Sequence, residues 1–219
     1  MKAHNGFTIL AAAIAVAMGV PSCAHTVSGT AVAEQSAASF APSPTTTANV
    51  PTKAPSEMTT DEMVRTMVKE ATDYWVSRGV DMSAPKVIEG DTCPGATSVN
   101  IASYCEHSLR YTPPRVQKLR DDLGPIAVLE VVAHEIGHAV SNAVGRTDGD
   151  NDTWEDRADC ASGAVTAEQK NLTLDRAVAI FGRTRTPTRD DSIDAFTTGF
   201  NTQRNGGDTL TTCTTYEYK

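Results

Sequence analysis

Read for its spacing of apolar and polar positions, the chain changes character near residue 58. Before that point there is one uncharged apolar stretch, 7–20, and then a run without periodicity. Beyond it, helical spacing dominates. Met63, Met67, Ala71, Tyr74 and Trp75 recur at three- and four-residue steps. Thr60-Asp61-Glu62 supplies a capping residue and acids at the positive end of that helix, and Gly79 a stop. Pro113-Pro114 starts a second helix, to 122, closed by Gly124. Pro125 suits the first position of a third, over 126–144, which is apolar enough to be buried nearly all round. After a polar, acid-rich loop, further helices are predicted over 153–169, from a Thr173 cap to 181, and from 190 to about 204. Val87-Ile88, Ser103-Tyr104 and Leu109-Arg110-Tyr111 are β-prone pieces separated by Gly, Pro, Asn and Asp, which predicts a small irregular sheet. The pattern describes one mainly α (α+β) domain over 58–219, of a size that supports a single core.

The first 57 residues read differently. Lys2, the short apolar stretch and the small residues after it have the layout of a secretory signal peptide over 1–22, too short to span a bilayer as a permanent helix. Val20-Pro21-Ser22-Cys23 resembles the lipobox of bacterial lipoproteins, in which the cysteine is lipidated and becomes the new N-terminus. That likeness implies export, with Cys23 carrying a lipid anchor on the outer side of the cell membrane. Residues 23–57 are rich in Ala, Ser, Thr and Pro and cannot bury enough apolar surface to offset their ordering entropy. They read as a disordered tether, kept extended by Pro42, Pro44, Pro51 and Pro55.

Charge narrows the partners. The net charge is −8, and the only charged residues in the first 57 are Lys2, Lys53, Glu34 and Glu57, so the domain carries all of that excess. No basic patch suits a nucleic acid, and Arg183, Arg185 and Arg189 read as solvated surface. With Cys23 set aside, four cysteines remain, an even number that in an exported domain favours two disulfides. Of the three possible pairings we expect Cys93–Cys105, closing a short Gly/Pro-containing loop, and Cys160–Cys213, pinning the C-terminal tail.

The third helix holds residues that an apolar core does not explain. His134-Glu135-Ile136-Gly137-His138 places two imidazoles four residues apart, on one helix face, where both can reach a single tetrahedral Zn²⁺. Glu135 lies beside that face, suited to act as general base on a water at the metal. Two buried imidazoles and a carboxylate without such a centre would each need separate partners. A third ligand is expected at Glu155, with Asp159 one turn on, accepting the outer N–H of a ligand histidine. Asp148, Asp150 and Asp152 are substitutes for the third ligand, and His107 is the remaining histidine of the domain.

His134-Glu-Ile-Gly-His138 followed by Glu155-x-x-Ala158-Asp159-Cys160-x-x-Gly163 resembles the neutral zinc metallopeptidases, glutamate-ligand zincins of the thermolysin-like clan. Tyr104-Cys105, and Phe196-x-x-Gly199-Phe200 before Cys213, extend the likeness over roughly 93–213. It implies a zincin-like domain that hydrolyses peptide bonds of a peptide or protein substrate in the cell envelope, with metal ligands His134, His138 and Glu155. One position departs: where that family often carries a His-Gly pair, this chain has Thr186-Pro187. His107 and Tyr111 are then the candidates for steadying the oxyanion, and the edge of the extended segment for binding substrate as an added strand. The departure also leaves open a zinc-binding envelope interaction module with little or no protease activity. A metal-free structural lipoprotein is disfavoured by the complete ligand set.

Overall fold

The computed structural model describes residues 53–90, 93–94, 100–185 and 189–218. Helix α1, Thr60–Val76, is capped by Thr59, one residue earlier than the sequence suggests. The Thr59 hydroxyl accepts from the Glu62 N–H while the Glu62 carboxylate accepts from the Thr59 N–H, satisfying two otherwise orphaned donors. The expected stripe of Met63, Met67, Ala71, Tyr74 and Trp75 is buried, together with Val64 and Val68. Burying each large member of it contributes about 1.5–3 kcal/mol.

Three short strands follow: β1 (Lys86–Glu89), β2 (Ala102–Cys105) and β3 (Ser108–Tyr111). Their order is β1-β3-β2, with β1 parallel and β2 antiparallel to β3. The β2–β3 turn consists of Glu106 and His107, both at positive φ (50° and 57°) without being glycine. Cys93 is bonded to Cys105 beside this turn. β2 lies at one edge of the sheet and packs on helix α3.

Helix α2 (Pro113–Leu123) ends at Gly124, whose φ of 87° redirects the chain into α3 (Pro125–Ala143). α3 is the centre of the domain, packed by α1, α2, β2, α5 and above all α4. Its buried set runs almost unbroken from Ala127 to Ser141, as its apolar composition requires. Helix α4 (Asn151–Thr166) starts two residues earlier than expected, because Asp150 accepts from the Thr153 N–H and acts as its cap. Helices α5 (Leu174–Thr184), α6 (Asp190–Arg204) and a short α7 (Thr209–Thr214) complete the chain. α7 was not expected; its Thr-rich sequence has weak helical propensity, and the Asp208 cap and tertiary contacts set it.

Small residues set the helix spacing. A Cβ on Gly163 of α4 would stand 2.0 Å from the Phe196 carbonyl oxygen, and one on Gly199 of α6 would stand 1.9 Å from that of Cys160. The two backbones therefore touch where α4 and α6 cross, and only glycine fits there. Beside that crossing Cys160 is bonded to Cys213, joining α7 to α4. No helix among the described residues is long and apolar enough to cross a membrane.

Candidate metal centre

α3 and α4 face each other at the motif. His134 and His138 stand one turn apart on α3, 4% and 6% exposed, with ring centroids 4.7 Å apart. From α4, Glu155 turns its carboxylate between them: Oε2 is 3.2 Å from Nε2 of His134, and Oε1 is 3.6 Å from Nε2 of His138. One ligand atom from each residue lies within 4.8 Å of the others, a group that can hold a metal ion. The two separations from Glu155 lie near the roughly 3.3–3.6 Å expected between neighbouring ligand atoms of a small tetrahedral ion with bonds of about 2.0–2.2 Å. The helices come this close because Gly137, inside the motif, meets Ala158 and Ala161 of α4; a Cβ there would stand 2.8 Å from Ala158 Cα.

The outer nitrogens of the two histidines are treated differently. Nδ1 of His134 lies 2.8 Å from Oδ1 of Asp159, which is completely buried. That contact presents Nε2 to the centre and fixes the tautomer. Nδ1 of His138 has no hydrogen-bond partner among the described residues. Its ring instead stacks on Trp154, centroids 5.1 Å apart and planes 12° from parallel. The indole is thus a second, apolar means of holding a ligand imidazole.

Electrostatics divide the same groups. Burial lowers the pKa of His138 to about 3, helped by the neighbouring His134, so its ring is neutral over the whole physiological range. Burial and Arg185 also pull His134 down, but the Asp159 and Glu155 carboxylates outweigh them and raise it to about 9, so a metal bound at Nε2 has to displace a proton there, and Asp159 then keeps the remaining one on Nδ1. Burial opposes ionisation of Glu155, yet the hydrogen bond and charge of His134 dominate and hold it at about 2, so it is anionic. Asp159 is lowered too, burial being overcome by His134 and Arg185. Glu135 moves the other way: burial raises it, against the charges of His134 and Arg185 and a hydrogen bond from the Tyr104 backbone of β2. A carboxylate raised in this way is a stronger base than a solvated one.

The remaining sequence expectations separate. Asp148 receives Arg157, Asp150 caps α4 and Asp152 pairs with Arg189, so none of them belongs to the ligand group. Tyr111 does not serve an oxyanion, since its buried hydroxyl donates to Asp61 (2.9 Å) and Glu89 (3.1 Å) on the α1 side. His107 is exposed in the β2–β3 turn and lines, with Tyr104, Ala139 and Asn142, a cavity of about 330 Å³ beside α3. Cys23 and Thr186-Pro187 lie outside the described residues. Reading Arg185 and Arg189 as solvated surface is corrected by their partners: Arg185 contacts His134, Glu155 and Asp159, while Arg189 joins Asp152, Asp156 and Asp191. Spacing carried no signal for Arg185, because α5 delivers it from 26 residues beyond Asp159. Trp154 was also missed, although its place beside Glu155 was a clue.

Compared with protein-family models, with curated proteins and with solved structures, the chain has no match.

Proposed function

We propose that this protein is a zinc-dependent peptidase of the cell envelope. The single observation that carries the reading is the meeting of His134, His138 and Glu155 around one point, with the carboxyl of Glu135 buried beside them on the same helix. The donor set, two imidazole nitrogens and one carboxylate oxygen, suits Zn²⁺, and three protein ligands leave a fourth position for water or substrate. Bound there, the ion would supply Lewis acidity and a water that ionises near neutral pH.

The chain's own residues do the rest. Glu135, held by the Tyr104 backbone, accepts the proton of the attacking water and returns it to the departing amine nitrogen. Asp159 keeps His134 in one tautomer and Trp154 keeps the His138 ring in plane, so that neither ligand has to reorganise. β2 is the sheet edge packed on α3, suited to take an extended peptide substrate by strand addition. Export and a lipid anchor at Cys23 belong to the same proposal, on the sequence alone.

The test is metal content and cleavage together. Protein purified without chelator should carry close to one zinc per chain, and hydrolysis of a broad peptide library should stop on chelation and return with zinc. Glu135→Gln should keep the zinc and lose hydrolysis, since it removes the base and no ligand. Protein that takes up no zinc refutes the reading. Zinc without cleavage by the parent supports instead an interaction module in which the centre is structural.

A further inference from the structure

Neither His107 nor Tyr111, the two candidates for steadying an oxyanion, is among the residues gathered at the ligand group. Tyr111 is committed to Asp61 and Glu89, and His107 sits in the exposed hairpin turn. What does reach the centre is Arg185. It is the C-cap residue of α5, in extended backbone, and its side chain crosses from there to α3 and α4. Nη2 lies against Nδ1 of His134 and Oδ1 of Asp159, 2.9 Å from Nε2 of His134 and 3.7 Å from Oε2 of Glu155. The guanidinium carbon stands 5.9 Å from the Phe181 ring centre, and Phe181 in turn stacks on Phe196 at 4.3 Å. The arm therefore starts from a packed aromatic base, while about a quarter of its side chain stays accessible.

Resting on the peptidase reading, we propose that Arg185 is a catalytic residue that donates to the scissile carbonyl oxygen as that oxygen becomes anionic. Asp159 and Glu155 hold the guanidinium beside the centre, where the tetrahedral oxyanion of peptide hydrolysis would form within reach of its N–H donors. In that step the water oxygen bonds to the carbonyl carbon and the C=O π pair moves onto oxygen. The N–H of Arg185 holds this oxygen by hydrogen bonds, without giving up a proton. The pair then reforms the carbonyl, the C–N bond breaks with its electrons on nitrogen, and the proton taken by Glu135 completes the amine. Guanidinium suits the task because it stays protonated and offers parallel donors to an oxyanion.

The experiment compares zinc-loaded parent, Arg185→Met and Arg185→Lys. Two probes are used: a phosphonamidate peptide, which carries a tetrahedral anion, and a peptide ending in a thiol, which binds metal without one. Calorimetric affinity for each probe, zinc affinity against a competing chelator, and kcat and KM are measured. Arg185→Met should keep zinc and thiol binding within about threefold and lose phosphonamidate affinity and kcat by about a hundredfold or more, with KM nearly unchanged. Arg185→Lys should recover part of the phosphonamidate loss, and it keeps the positive charge beside Asp159 if the Met variant folds poorly. Undiminished phosphonamidate binding in Arg185→Met overturns the proposal, as does an equal loss for both probes, which would make Arg185 a counter-ion of Asp159. A zinc-loaded parent that binds neither probe and cleaves nothing overturns the peptidase reading instead.

Discussion

Replacing Gly137 by alanine tests whether the close approach of α3 and α4 is what assembles the centre. The new methyl carbon would stand 2.8 Å from Ala158 Cα, 2.8 Å from Ala161 Cβ and 3.1 Å from the Ala158 carbonyl oxygen. Ordinary carbon contacts lie at about 3.5–4.0 Å, so α4 has to retreat by roughly 0.7–1.2 Å. Its neighbours there are main chain and a Cβ, which cannot swing aside as a long side chain would. Overpacking of this kind costs about 1–3 kcal/mol, against a gain of up to about 1 kcal/mol from alanine's higher helix propensity. The expected net loss is about 1–2 kcal/mol. Glu155 moves with α4, and a shift of this size exceeds the roughly 0.2 Å tolerance of a metal–ligand distance. Zinc affinity should therefore fall at least about tenfold, the equivalent of 1.4 kcal/mol. Denaturant unfolding in the presence of chelator reads the first effect, and competitive zinc titration the second. Gly182→Ala on α5 is the control, because nothing stands within 4 Å of its added carbon. It should gain up to about 1 kcal/mol and leave zinc binding alone. If Gly137→Ala matches the parent in both stability and zinc affinity, the close approach is not what places Glu155.

Other outcomes follow from single contacts. Glu130 is 1% exposed with neither carboxylate oxygen hydrogen-bonded among the described residues, and burial raises its pKa from 4.5 to about 9. The folded state thus holds a proton that the unfolded chain releases above pH 4.5, so stability should fall as pH rises from there to about 9; the cost at pH 7 is about 3 kcal/mol. Glu130→Gln should flatten that slope by one proton between pH 5 and 9 in unfolding free energies measured across the range, and a parent–variant difference that stays constant over it would disprove the assignment. Glu155→Ala should lose most of its zinc at low free zinc, whereas Asp159→Ala should weaken affinity by about ten- to a hundredfold and leave a detectable site; titration of both gives the order, and the reverse order exchanges their roles. Replacing Cys160 and Cys213 together by alanine opens a link across a sequence separation of 53 and should lower stability by about 4 kcal/mol in thermal or denaturant unfolding.

Much of this fold was legible in the chain because its signals are local. The 3.6-residue spacing of Met63, Met67, Ala71, Tyr74 and Trp75, and the prolines and glycines around 113–145, are set by backbone sterics and capping within a few residues. So is the presentation of His134 and His138 on one face, which needs only a helix. The small mixed sheet was expected as a class, while its order β1-β3-β2, with β1 parallel to β3, joins strands whose pairing no local rule specifies. The rest depends on which surfaces meet. Gly163 and Gly199 stood in the sequence as motif letters, and only the α4–α6 crossing shows that a single methyl group would force those backbones apart. Tyr111 looked available for chemistry until folding turned its hydroxyl towards Asp61 and Glu89. Arg185 looked like solvated charge until α5 carried it across to His134 and Asp159. A side chain's neighbours along the helix follow from spacing, but its neighbours across the core follow from close packing of the whole domain, and that is where this centre acquires its positive charge.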